Sequence, residues 1–321
     1  MFEDNENIYP VKPDLLVKSG AKQKLGFFLL MLAFIVFSTD FTTSTYIVLL
    51  EIAAVLIVHE LGHFLMMRLY NTKSQGMFFM SFLGNRTKNL RFSNSQKQHT
   101  VINLMGPIPG IIMGTVLFFI VIYSEPNTYL IEFALLLLGI NILNLVPIDP
   151  FDGGRVIGGF FFNKNDHQKM IFTLVSSVAI ISVGVIFNFI PLIVFGFLMG
   201  LKVRSYQKSN YLHEALEESN VNYKKEYGDL TNREYWKIRS VFLTFNPKLK
   251  EMIPSGYNLW DNERLLMEQV RQVLRTDIKP DMSNLTRFFV LVLMVLLIAL
   301  PIVLVLSNIE IVDWYLQNTN V

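Results

Sequence analysis

The chain of 321 residues contains no cysteine, which excludes disulfides and thiolate metal ligands and leaves imidazole and carboxylate as the groups that could hold a metal. It is also poor in charge. Only 17% of its residues are Asp, Glu, Lys or Arg, against about a quarter in an ordinary soluble protein. The formal net charge is +2, and the basic residues lie in loops beside apolar runs and form no stripe, so no nucleic-acid role is expected. There is no internal repeat and no low-complexity tract. The opening stretch "MFEDNENIYPVKPDLLVKSG" is polar for longer than a signal peptide permits, so membrane insertion is expected to rest on segments further along.

What the chain has in excess is apolar side chains, 52% of the total, too many for one soluble core. They fall in runs over 25–39, 43–70, 101–123, 129–148, 170–187, 189–201 and 287–307, the pattern expected of helices crossing about 30 Å of hydrocarbon. The first and sixth are short for an upright span. Basic residues set the orientation: Lys18, Lys22 and Lys24 before the first run and Lys73, Arg86, Lys88, Arg91 and Lys97 after the second are expected in the cytoplasm. The connections "TDFTT" and "SEPNT" carry no lysine or arginine and are expected on the other side. The expected fold is therefore an all-α polytopic membrane protein of six to seven transmembrane helices. It would comprise a cytoplasmic segment 1–24, a membrane core 25–201, a cytoplasmic insert 202–286, a last span 287–307 and a tail 308–321.

Two stretches between spans have their own character. Residues 77 to 92 place short apolar runs on either side of Gly84-Asn85 and read as a small interfacial β-hairpin, whose edge could pair with an extended substrate. The insert is charged and reads as mostly helical. Thr231-Asn-Arg-Glu234 is a capping-box pattern ahead of "YWKIRSVFLTF". A second helix is expected from Asp261, with Leu265, Leu266, Val270, Val273 and Leu274 along one side.

Chemistry concentrates in "IVHELGHFLMM", residues 57 to 67. His59 and His63 are four apart, so on a helix they stand one turn apart on one face and can close on one metal ion. Glu60 is rotated about 100° from them, where it can reach a water on that metal. The alternative is a pair of interfacial histidines hydrogen-bonded to neighbouring helices, but ionisable groups inside spans are rare and usually functional. A third ligand must come from elsewhere. "NLVPIDPFDGG", residues 144 to 154, breaks the fourth span with Pro147 and Pro150 and offers Asp149 and Asp152. Either aspartate could meet the histidines at the cytoplasmic end. Glu51, about 80° round the helix from His59, is expected in a wet cavity or paired with another helix, and Glu132 at an interface. His99, His167 and His213 lie in polar context and are expected to be solvated.

These motifs together resemble the site-2 protease family of intramembrane zinc metalloproteases. The resemblance rests on His59-Glu60-Leu61-Gly62-His63 and on Asn144-Leu-Val-Pro147-Ile-Asp-Pro150-Phe-Asp152-Gly153-Gly154, with Gly106-Pro107-Ile108-Pro109-Gly110 similar to the family's Gly-Pro element. It covers roughly residues 40 to 160. It implies Zn2+ held by His59, His63 and Asp152, Glu60 as general base and acid, and Asn144 orienting substrate; Asp149 is then an extra carboxylate. The family commonly has asparagine where this chain has Gly110, and no PDZ-like or CBS-like module is evident. The implied activity is hydrolysis of peptide bonds in or near transmembrane segments, the partners being membrane-spanning proteins or signal peptides and the lipid bilayer. The competing class, a membrane transporter or metal-handling protein using the same ligands without hydrolysis, would more naturally show repeated halves.

Overall fold

The computed structural model describes residues 9–14, 43–73, 91–92, 95–162, 166–253, 256, 258–261, 263–275 and 278–319. The first expected span, 25–39, lies outside them. So does the expected hairpin at 77 to 92, apart from Arg91 and Phe92. The protein is mostly helical, and five of its described helices are long and apolar enough to cross a membrane: Tyr46–Leu69, Gln96–Tyr123, Thr128–Leu145, His167–Ile186 and Asn284–Ser307. That composition makes it a polytopic membrane protein. The chain divides into two compact units, one of Ser19–Phe161 with Ile278–Val321, the other of Met1–Lys18 with Phe162–Asp277.

The first unit begins with helix α1 (Thr43–Leu69). Its side chains sort into two stripes of i, i+4 spacing. Ile57, Leu61, Leu65 and Leu69 are exposed, a surface suited to lipid, while Val55, His59, His63 and Met67 are buried against protein. After α1, strand β1 (Thr72–Lys73) pairs in parallel with β2 (Arg91–Phe92). The next span is broken into α2 (Gln96–Leu104) and α3 (Pro107–Tyr123) at Gly106-Pro107, where proline takes the first position of the new helix. Helix α4 (Thr128–Leu145) starts from an Asn127 cap and ends before the Pro147–Pro150 turn. Helix α5 (Asp152–Phe161) then packs on α2, tied there by the buried Gln96 amide, which donates to the Gly159 carbonyl at 2.8 Å. Helix α11 (Asn284–Ser307) buries only Met294 and Pro301, and α12 (Ile309–Thr319) packs against α4. The interior is apolar, centred on Ile111, Phe118, Ala134, Leu138, Leu145 and Val156.

The second unit opens with α6 (Asp166–Ile186) and α7 (Ile190–Glu218), paired as a hairpin whose turn is made by Asn188 at φ 52°, a left-handed conformation that asparagine tolerates. The expected short span 189–201 is the apolar first half of α7. A 3₁₀ turn (Tyr227–Asp229) leads to α8 (Asn232–Thr244), where both arms of the capping box form: Glu234 N–H donates to Thr231 Oγ1 at 3.2 Å and Thr231 N–H to Glu234 Oε2 at 2.9 Å. Helices α9 (Pro247–Glu251) and α10 (Glu263–Val273) complete it. On α10, Leu266, Val270 and Val273 are buried as expected, but Leu265 faces solvent and Met267 takes the inward place. The core is aromatic, with Tyr235 and Trp236 packed beside Leu216, Ile238 and Leu266. His213, expected in solvent, is buried here; its Nε2–H donates to the Val273 carbonyl at 2.8 Å and its ring stacks on Tyr223.

Candidate metal centre

His59 and His63 project from the buried stripe of α1, and Asp152 meets them from the first turn of α5. Both imidazole Nε2 atoms lie 3.0 Å from Asp152 Oδ2 and 3.1 Å from each other. All three side chains are almost sealed from solvent, at 5%, 2% and 4% exposure.

The outer face of each ring fixes its tautomer. A backbone carbonyl can only accept, so His63 Nδ1–H donates to Ile102 O at 2.7 Å. That carbonyl is in the last turn of α2, where helix carbonyls lose their intrahelical partners. Asn141 on α4 donates its amide to Leu137 O at 2.8 Å, which turns its Oδ1 toward His59 Nδ1–H, also at 2.8 Å. In the neutral imidazoles both Nε2 lone pairs therefore face Asp152 Oδ2. Three electron-rich atoms this close in a buried site are balanced by a positive charge between them, either a metal ion or a proton on one imidazole. Two nitrogens and one carboxylate oxygen are a donor set of catalytic zinc, and tetrahedral coordination at bond lengths near 2.1 Å spaces ligand atoms by about 3.4 Å. The observed triangle is close to that, so the residues fit a divalent ion, and the trio could hold a metal.

Asp152 is aimed by its neighbours. Its Oδ1 accepts from Arg155 Nη1 at 3.0 Å, one turn along α5, which leaves Oδ2 for the imidazoles. The Arg155 guanidinium at that distance favours the ionised carboxylate. Gly153 and Gly154 let the first turn of α5 lie against the carbonyls of Leu145 and Ile148, where a Cβ would collide. Gly106 does the same for the His63 ring, so the break between α2 and α3 makes room for that imidazole.

Glu60 stands beside the trio on α1, half-buried, and its Oε2 is buried with no hydrogen-bond partner among the described residues. An unpaired carboxylate oxygen at a ligand cluster is available to a water or a substrate. Asn144 is half-buried, and its amide donates to Ile140 O on its own helix at 2.9 Å. Asp149, in the turn between α4 and α5, is half-buried. Glu51 is half-buried, its Oε2 without a partner among the described residues, and Glu132 takes a hydrogen bond from Tyr315 of α12. Two residues of this centre escape the sequence reading. Asn141 lies in the buried stripe Leu137, Asn141, Leu145, a register that could have marked it; Arg155 lies at i+3 from Asp152, the spacing of a helical ion pair. Gly110, where an asparagine is common in the resembling family, faces the Asn141 amide.

No family model and no curated protein matches the chain. Among solved structures it is similar to the site-2 protease from Methanocaldococcus jannaschii, at 16% identity and a TM-score of 0.41, over 57% of this chain and 88% of that one. At that degree of superposition the likeness assigns neither residue roles nor an activity.

Proposed function

We propose that the protein is an intramembrane zinc metalloprotease that hydrolyses peptide bonds in or near the transmembrane segments of membrane-anchored substrates. The observation that carries this is the convergence of His59, His63 and Asp152 at 3.0 to 3.1 Å beside a glutamate with an unpaired oxygen, on a helix long and apolar enough to span. Zinc bound there would polarise a substrate carbonyl and lower the pKa of its water toward about 7. Glu60 holds the proton that water gives up and returns it to the departing amine nitrogen. Asn141 and the Ile102 carbonyl keep the two rings oriented; Arg155 keeps Asp152 turned toward them. Asn144 is assigned to positioning the substrate backbone, and the sequence at 77 to 92 to holding it extended, because a helical substrate hides its carbonyls until unwound. The loop charges support an active site that faces the cytoplasm. Substrates of this chemistry are single-span proteins or signal peptides.

The test is metal analysis together with cleavage of a model single-span substrate. Wild type is expected to carry zinc and cleave. Glu60→Gln should retain zinc and lose about 10²- to 10⁴-fold in rate, and His63→Ala should lose both. Cleavage by Glu60→Gln at the wild-type rate ends the proposal. Zinc binding without cleavage by any form points instead to metal handling.

A further inference from the structure

Residues Tyr9–Asp14 read Tyr-Pro-Val-Lys-Pro-Asp. Pro10 and Pro13 each fix φ near about −65°, and the residues before them, Tyr9 and Lys12, are pushed out of the helical region. The segment accordingly has no helix or strand. Such a stretch is preorganised, so little conformational entropy is lost when it docks. Because proline lacks an N–H, the handles of an extended Pro-x-x-Pro ligand are its carbonyl oxygens. A surface that reads it needs donors carried on aromatic side chains.

The second unit supplies that surface. Trp236 Nε1–H donates to Pro10 O and Tyr227 OH to Pro13 O, both at 2.8 Å. Between the two, Lys12 N–H donates to Asn232 Oδ1 at 2.9 Å. The Lys12 ammonium donates to the carbonyls of Tyr227, Gly228 and Leu230 at the end of the 3₁₀ turn, and it lies 5.4 Å from the centroid of the Tyr227 ring. Tyr9 packs against the aromatic core, while Val11 points outward at 77% exposure. Positions 9, 10, 12 and 13 are thus read and 11 is not. The joined residues are 214 to 226 positions apart in sequence. Pro10, Val11 and Asp14 are exposed, so directional contacts more than buried area hold the segment, and such contacts exchange readily with water.

We propose that this face of the helical unit is a recognition site for an extended Pro-x-Lys-Pro peptide, and that its resident ligand is the chain's own Tyr9–Asp14. Tethering keeps the site filled, because a linked ligand acts at an effective concentration on the order of mM. A protein that presents the same pattern can take its place. The inference is independent of the metal centre.

A fluorescent peptide of residues 6–16 is titrated onto the full chain and onto a variant lacking residues 1–14, both in detergent micelles. The shortened chain should bind it about tenfold or more tightly than the full chain does, because its groove is open. The peptide carrying Lys12→Ala should bind about tenfold or more weakly, through loss of the charge-assisted bonds, and the Val11→Ala peptide as well as wild type. Equal binding of the wild-type and Lys12→Ala peptides, or no binding to the shortened chain, overturns the proposal. Should the shortened chain not fold, Lys12→Ala in the full chain opens the groove with the helical core intact; peptide uptake no better than wild type then overturns it.

Discussion

Glu263 and Arg239 of the helical unit are buried together, and each oxygen of the glutamate is engaged. Oε1 accepts from Tyr235 OH and Arg239 Nε, both at 2.7 Å, and Oε2 from Trp260 N–H at 3.0 Å and Arg239 Nη2 at 3.1 Å. In the membrane unit Asp152 is as deeply buried and Arg155 takes its Oδ1, yet its Oδ2 faces two imidazole nitrogens whose other ring nitrogens donate outward, and Glu60 beside it keeps an oxygen without a partner among the described residues. Donors matched to acceptors make the first cluster a structural fastening. The second is acceptors turned toward a common point, which is how a ligand site differs from a buried salt bridge.

The sharpest way to test that distinction is to break the fastening. Glu263→Ala leaves the Arg239 guanidinium buried without its anion, and about 3–5 kcal/mol of stability should be lost. Protease resistance of the insert should fall in step, with zinc content unchanged; zinc loss in this variant would show that the two clusters are not separate devices. A smaller effect is expected from Asn141→Leu, which removes the acceptor that orients His59. Zinc affinity should fall about 10- to 100-fold, and Asn141→Asp, which restores an acceptor oxygen, should recover most of it. Equal zinc affinity in Asn141→Leu and wild type would make the asparagine mere packing.

The smallest expected effect lies at the exposed cap of α8. Burial pushes the Glu234 carboxyl up, but Lys225 Nζ, 2.6 and 2.8 Å from its oxygens, and Thr231 N–H hold it below the usual value. A folded-state pKa below the unfolded one means the cap stabilises fully above about pH 4.3. The contribution is lost as pH falls through the lower, folded value. Tryptophan fluorescence of unfolding between pH 7 and pH 3 should show this loss, and Lys225→Gln should flatten it; an unaltered slope would remove Lys225 from the account.

Much of this was legible in sequence because it is local. The spacing of His59 and His63 puts two nitrogens on one face of any helix, and the four-residue pattern at Thr231 and Glu234 closes a cap within one turn. The apolar runs mark five of the described helices by length alone. Elsewhere the local signal was ambiguous. Asn141 and Asn144 are one turn apart, both amides in an apolar helix, and only the packing of α4 against α1 turns Asn141 toward His59. His213 reads as a polar-context residue, yet the fold closes over it. The docking of Tyr9–Asp14 joins residues over 200 positions apart, and no periodicity reaches that far.

The sequence by itself determined that the protein is helical, is embedded in a membrane and carries two imidazoles one turn apart on one helix face with a glutamate next to the first, because helix pitch and hydrocarbon thickness convert residue order directly into geometry. Tertiary structure turned Asp152 toward those imidazoles, as the family resemblance implied, where spacing left Asp149 open; it alone decided that Asn141, Ile102 and Arg155 aim the donors and that the aromatic face of the insert is covered by the N-terminal segment. Those choices rest on which surfaces pack together, and packing is a property of the whole chain.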